Sequence, residues 1–395
     1  VRRGARFGAA VLVILTAVLL LDRTFWYRFA TIRDQTPASY PGWIAPRATV
    51  PGDFQAPLPV VEPDSSLLSP AAVAALEAYA DDAGSFSLLV HHAGRIQLET
   101  YWRGFGPEEV SETYSMAKSV TALMTGFAVE DGFIASIDDP VAVYLPEWSA
   151  SPRGEITIRQ LLQMASGLEH FRFNYRWLQN PYSKALRLFI GPNMEKALLR
   201  FELASAPGSE FFYNSANTQL LMLILSRVID QPYAEYVSAR LWKPLGAKAA
   251  TLWLDRAGGL PKAYSFFQAR PRDWLRLGLA LKNDGVVDGT QVIPRQWISQ
   301  MKTPSPANPK YGFQLWLGSP HTPKRFYNRN TPFGVPQVEP FLAEDVVFFD
   351  GGGGQRVYVI PSADVVIVRT GMPAVKWDDG VVPNIVLADL QGQGS

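Results

Sequence analysis

Tyr114-Ser115-Met116-Ala117-Lys118-Ser119-Val120-Thr121 is an S-x-x-K motif at the head of an apolar-periodic segment. After Ser115 the apolar residues Val120, Leu123, Met124, Phe127 and Ala128 recur at helical spacing, although Gly126 and Gly132 weaken the helix. With Ser115 in the first turn, Lys118 lies one turn on and on the same face. A serine hydroxyl is a poor nucleophile at neutral pH and needs a base. A lysine can be that base only when its ammonium is desolvated or placed among groups that favour the neutral amine. The unpaired N–H groups and positive dipole end of a helix start favour negative charge on a substrate oxygen. Ser115 and Lys118 are therefore candidate nucleophile and base, and the N–H of Ser115 is a candidate oxyanion-hole donor. A lone S-x-x-K is a weak signal that also arises at solvated helix starts, so other segments must support it.

Two segments do. Pro207-Gly208-Ser209-Glu210-Phe211-Phe212-Tyr213-Asn214-Ser215-Ala216-Asn217 precedes the apolar helix expected over Leu220–Val228. A Tyr213 phenol with lowered pKa would share protons with Lys118 and Ser115, as base and then as acid for the leaving group. The plain alternative is a core tyrosine beside Phe211 and Phe212, with Asn214 or Ser215 capping the helix. The second segment is Asp350-Gly351-Gly352-Gly353-Gly354-Gln355, between two expected strands. Four glycines let backbone approach a ligand closely, so an N–H here is a candidate second oxyanion donor. An ordinary hairpin turn is the alternative.

The 395 residues carry a net charge of +1, with 47% hydrophobic and 18% charged residues, which suits a globular body with a sizeable core. No long basic stripe is present, so nucleic acid is not an expected partner. The absence of cysteine excludes disulfides, a cysteine nucleophile and thiolate metal sites. The four histidines, His91, His92, His170 and His321, show no metal-ligand spacing, and no metal is expected.

Arg2, Arg3 and Arg6 precede an apolar run from Phe7 to Leu21, with Phe25-Trp26-Tyr27 beyond it. Residues 1–30 are expected to be an uncleaved membrane anchor or a cleaved signal segment. Either reading puts the following domain outside the cytoplasm, anchored on the periplasmic side of the inner membrane or secreted. Prolines punctuate residues 31–66, which are expected to be an extended linker outside the fold. The domain is then 67–395. Ser69-Pro70 starts a helix reaching about Ala80. Strands are expected over Ser85–Val90, Arg95–Trp102, Asp345–Phe349, Gln355–Ile360 and Asp364–Arg369, with a final helix over Val381–Leu390. Helices dominate between 105 and 335. The expected fold is α/β of the α+β type: an antiparallel sheet flanked by helices and interrupted by a large helical insertion.

Taken together and in order, Ser115-Met116-Ala117-Lys118, Ile156-Thr157-Ile158-Arg159-Gln160-Leu161-Leu162-Gln163-Met164-Ala165-Ser166-Gly167-Leu168, the Pro207…Ser215 element and Gly351…Pro361 resemble the penicillin-recognising serine hydrolases. Asp138-Asp139-Pro140, Lys243-Pro244-Leu245-Gly246 and Tyr311-Gly312-Phe313-Gln314 agree in order, so the resemblance covers about residues 70–372. The Met164–Leu168 and Gly-Gly-Gln-Arg elements look most like the 6-aminohexanoate-dimer hydrolase and family VIII esterase branches. The resemblance implies a β-lactamase/transpeptidase-like fold, an acylated Ser115, Lys118 as base and Tyr213 as proton relay. It implies Ser115 and Gly352 as oxyanion donors. Ser215, Asn217, His170, Tyr175, Trp177, Gly351 and Gly353 would line the substrate, with no metal or organic cofactor. The chain departs from the family pattern at Ser215, where class C β-lactamases have asparagine. It departs again near Asp350, where those enzymes and D,D-peptidases carry a Lys or His two residues before a glycine. Without that cation a substrate carboxylate loses its partner. A hydrolase of small ester or amide substrates is therefore expected. The alternatives are a β-lactamase or D,D-peptidase-like enzyme, or a catalytically silent sensor module of the penicillin-binding type.

Overall fold

The computed structural model describes residues 20–169, 180–328, 334–374 and 376–392. The helices that matter for the site are α1 (Arg23–Thr31), α2 (Pro70–Asp82), α3 (Ala117–Glu130), α4 (Ser215–Val228), α5 (Pro271–Lys282) and α6 (Val381–Gly392). The main sheet is formed by β1 (Ser85–His92), β2 (Arg95–Tyr101), β3 (Trp316–Leu317), β4 (Val347–Gly351), β5 (Gln355–Ile360) and β6 (Val365–Gly371). It is antiparallel and six-stranded, in the order β2-β1-β6-β5-β4-β3. Both ends of the domain thus meet in one sheet, as the tight turns between strand-like runs lead one to expect. The β1–β2 turn uses Ala93 (φ 48°) and Gly94 (φ 77°), the positive-φ pair that matches strand twist. The short strand β3, from the middle of the chain, is absent from the sequence reading.

Successive residues of a strand face opposite sides, and here both sides are buried. Leu89, Val357, Val359, Val366 and Val368 join one core with α3, α4 and α5. Leu88, Val90, Tyr358, Ile360, Val365 and Ile367 join a second core with α2 and α6. The continuous apolar runs of β5 and β6 follow from this two-sided burial. Ser69 caps α2 by accepting from the Ala72 N–H at 3.2 Å, and Pro70 opens the helix. The short helix Ile158–Leu162 starts at the capping box of Thr157 and Gln160.

The stretch expected to lie outside the fold is docked on it. Arg47–Val50 pairs antiparallel with Ala250–Trp253, which pairs in turn with Phe267–Gln268. Tyr40, Ile44 and Val50 are buried. Arg28 on α1 donates to the carbonyls of Ile190 (3.0 Å), Asp255 (2.9 Å) and Ala45 (2.7 Å), and Phe25 is fully buried. Proline content misled because it was weighed without the aromatic residues between the prolines, whose burial offsets the entropy of fixing the chain. Most of the apolar run of residues 7–21 lies outside the described residues. Among those described, no helix is long and apolar enough to cross a membrane.

Candidate active site

Ser115 sits in a 3-10 turn, Tyr114–Met116, that leads directly into α3. Tyr114 is held at φ 50°, a conformation costly for an aromatic residue. Its N–H donates to Glu112 Oε1 at 2.7 Å. The same oxygen accepts from the N–H of Phe266 (2.9 Å), itself at φ 62°, and from Ser265 Oγ (3.2 Å); Gln268 donates to the second oxygen. Glu112 is fully buried, and burial pushes its carboxyl up to about 7 against those hydrogen bonds. One carboxyl therefore ties the Ser115 turn to the segment 264–268. The docked N-terminal stretch closes over this knot: the Glu112 N–H donates to Pro37 O at 2.9 Å, and the Tyr40 ring meets Tyr114 and Phe266 edge-on. Glu112→Ala should strand several buried donors and lower unfolding free energy by about 2–4 kcal/mol in urea titration. Glu112→Gln, which keeps an acceptor oxygen, should lose well under half of that.

Lys118 is 1% exposed, and its Nζ donates to Ser115 Oγ at 2.9 Å and to Tyr264 O at 2.7 Å. Burial brings its pKa down to about 7, with the Asp350 carboxylate pulling weakly the other way. A neutral amine can keep an N–H on Tyr264 O while its lone pair faces the Ser115 hydroxyl. That is the arrangement a serine base requires.

The Tyr213 phenol lies beside the Ser115 hydroxyl, and its ring lies under Lys118 Nζ, 5.1 Å from the centroid. Its N–H donates to Tyr327 O at 3.1 Å, and its ring packs against Tyr327, Trp316 and Tyr311. Alcohol, amine and phenol, far apart in the chain, thus converge. The expected lowering of the phenol pKa is corrected. Burial, and next the Asp350 charge, raise it well above the usual value, so Tyr213 rests protonated. It can pass protons along but is not a standing base.

Asn214 caps α4, accepting from the Ala216 N–H at 3.0 Å and donating to Glu169 O. Ser215 is the first residue of α4 and partly exposed. Asn217 does not reach the cleft. It is 1% exposed, accepts from Ser166 Oγ at 2.6 Å and points its amide at Met164 Sδ. The Met164–Gly167 segment thereby cradles the tyrosine element; Phe212 N–H donates to Met164 O at 2.8 Å. His170, Tyr175 and Trp177 lie outside the described residues. Gly351 passes so close to the Ser115 turn that a Cβ would fall 2.1 Å from Thr113 O. Gly352 borders the Tyr114 ring, 3.9 Å from the place a Cβ would take. Gly353 faces Pro373 instead, so Gly351 and Gly353 are close-packing positions.

Asp350 is buried in a square of charges. Arg325 reaches Asp350 (3.2 Å) and Asp379 (2.9 Å), and Arg356 reaches Asp350 (2.5 Å) and Asp379 (2.8 Å). Neither this square nor Glu112 was legible in the sequence, because each rests on residues whose partners lie far along the chain. The −3 position of Glu112 relative to Ser115 is the one signal that could have pointed to it. Among the described residues no group of three or more His, Asp or Glu could hold a metal ion.

Residues 73–370 match the model of the Beta-lactamase family. A 6-aminohexanoate-dimer hydrolase from Paenarthrobacter ureafaciens is 26% identical over 237 residues, 57% of this chain and 59% of that protein. Protein flp from Staphylococcus aureus (strain MW2) is 27% identical over 180 residues, 42% of this chain and 34% of that protein. The chain therefore spans less than two thirds of the length of either. Among solved structures, a Bacillus anthracis protein provisionally assigned as a 6-aminohexanoate-dimer hydrolase superposes with a TM-score of 0.71 at 21% identity, over 90% of this chain and 93% of that one. A family VIII carboxylesterase gives 0.58 at 16% identity, over 81% and 97%. These structural likenesses speak for the fold.

Proposed function

This chain belongs to the Beta-lactamase family, and from that premise we propose that it hydrolyses an ester or amide through an acyl-enzyme on Ser115. The 2.9 Å contact between Lys118 Nζ and Ser115 Oγ, made by an amine whose pKa burial has brought to about 7, carries the reading. Ser115 Oγ attacks the substrate carbonyl as its proton passes to Lys118. The tetrahedral oxyanion is taken up by the N–H groups of Ser115 and Gly352. Tyr213, beside Ser115, relays the proton from Lys118 to the leaving group as the intermediate collapses. Water then attacks the acyl-enzyme with the proton steps reversed.

The electrostatics favour esters and linear amides over β-lactams and D-Ala-D-Ala peptides. Where a carboxylate-binding cation would stand, this chain has Asp350, and the nearby arginines Arg325 and Arg356 are both committed to acids. The names of the similar proteins, a dimer hydrolase and a carboxylesterase, agree with that substrate class. The test is a comparison of short p-nitrophenyl esters, linear amides and nitrocefin. Ester or amide turnover should exceed nitrocefin turnover by about 10- to 150-fold, since one missing charged hydrogen bond is worth roughly 1.5–3 kcal/mol. Rapid nitrocefin hydrolysis would reverse the order. Failure of a fluorophosphonate to label intact protein would point to a silent module.

The arginine-flanked apolar run at residues 7–21 supports placement at a membrane, with the catalytic body outside the cytoplasm. Retention of the full chain in the membrane pellet after an alkaline carbonate wash is the expected result; release would oppose it.

A further inference from the structure

The glycine turn 351–355 is gripped from beneath by two fully buried arginines. Arg356 Nη1 donates to Gly351 O (3.0 Å) and Gln355 O (2.8 Å), the two ends of the turn. Arg369 Nη1 donates to Gly353 O at 3.1 Å, which also accepts from the Ala374 N–H. Arg369 is held in turn by Ser85 Oγ and the carbonyls of Ala83 and Met372. A peptide is planar and trans, so its C=O and the next N–H point in opposite directions. Fixing Gly351 O on Arg356 therefore turns the Gly352 N–H away from the arginine, on the turn whose first residue touches Thr113 and whose second borders Tyr114. A hairpin of four glycines has little conformational preference of its own and would sample several peptide orientations. An oxyanion donor is useful only if its direction is set before the charge develops.

We propose that Arg356 is a positioning residue that fixes the Gly351–Gly352 peptide and so aims the second oxyanion-hole donor. Asp350 and Asp379 serve this by neutralising Arg356 where it cannot be solvated: Asp379 Oδ1 accepts from Nε at 2.8 Å, and Asp350 pairs with Nη1. Register places Asp350 directly across from Arg356 and Gly351 across from Gln355, so the grip is built into the β4–β5 pairing. The square also reaches the proton relay. Tyr327, whose carbonyl receives the Tyr213 N–H, lies close enough to Asp350 to feel its charge, and Arg325 stacks on Trp316 beside the Tyr213 ring. One compact set of charges thus fixes the oxyanion donor on one side and backs the phenol on the other.

The inference rests on the acyl-enzyme reading, and the test separates the two. Active sites are first counted by fluorophosphonate labelling, so that rates are expressed per competent site. In Arg356→Lys one ammonium keeps the charge balance with Asp350 and Asp379 but ends about one bond short of the place from which Nη1 reaches both carbonyls. The double variant Arg356→Met/Asp379→Asn leaves one acid, Asp350, with one cation, Arg325, and guards against loss of fold through an unpaired charge. In both, kcat for a p-nitrophenyl ester should fall by roughly 10- to 100-fold with KM within about threefold, because a misdirected donor fails the transition state and not the ground state. Affinity for an alkylboronic acid, which mimics the tetrahedral adduct, should fall in parallel with kcat. Variants that label, keep kcat and boronate affinity within about threefold of the parent, or lose only KM, overturn the role of Arg356. A parent chain that neither labels at Ser115 nor turns over esters overturns the underlying site instead.

Discussion

Ser115→Ala should yield a folded protein that takes no fluorophosphonate and whose ester or amide turnover is at least about 10⁴-fold lower, since nucleophile loss in serine hydrolases removes nearly all covalent catalysis. The hydroxyl meets Lys118 and Tyr213, and the turn beneath it is held by Glu112, so its removal takes little from the scaffold. Lys118 retains Tyr264 O as a partner. The change in unfolding free energy should therefore stay within about 1 kcal/mol. Intact mass after labelling, read beside a thermal melt, decides the matter. Adduct formation elsewhere in the chain would remove Ser115 from its role. A melted Ser115→Ala variant would show the hydroxyl to be structural.

Lys118→Met should lower kcat by about 10²–10⁴-fold, the usual worth of a positioned general base, while keeping the apolar stem in its pocket. Its signature is in the pH profile. The folded pKa of Lys118 lies far below that of an exposed lysine, at about 7, because burial disfavours the ammonium. Below that pH the amine is protonated and cannot take the Ser115 proton; above it the base is free. The rate per site should therefore climb through about pH 7 and level off, with no matching fall near neutrality because Tyr213 stays protonated there. Glu112 titrates in the same window, so Glu112→Gln is the control that must keep the climb. A climb that survives in Lys118→Met, or vanishes in Glu112→Gln, would assign it to the wrong group.

What could be read from residue order was the scaffold of this chemistry. Helical periodicity after Ser115 and strand-length apolar runs near both ends reflect local constraints, and they gave the helix start and the sheet; the convergence of Tyr213 with Ser115 and Lys118 was legible only through the ordered motifs of the family resemblance. The electrostatic support was hidden because it is non-local. Glu112 acts through N–H groups of residues 114 and 266, and Arg356 through carbonyls that any residue would supply. Asn217, which the resemblance set among the substrate-lining residues, is buried instead, because a partner at residue 166 claims its amide. The phenol pKa was misjudged because its direction depends on burial among Tyr311, Trp316 and Tyr327, which motif spacing does not report.

The docking of residues 23–50 bears on how the enzyme meets its surroundings. A free tether of about 36 residues would let a catalytic body roam over roughly 30–35 Å. Arg28 wedged among three carbonyls and the strand paired with Ala250–Trp253 take up most of that slack. Residues 23–50 thus belong to the body, and whatever chain lies before them meets it at the Arg28 contacts instead of at the end of a loose tether.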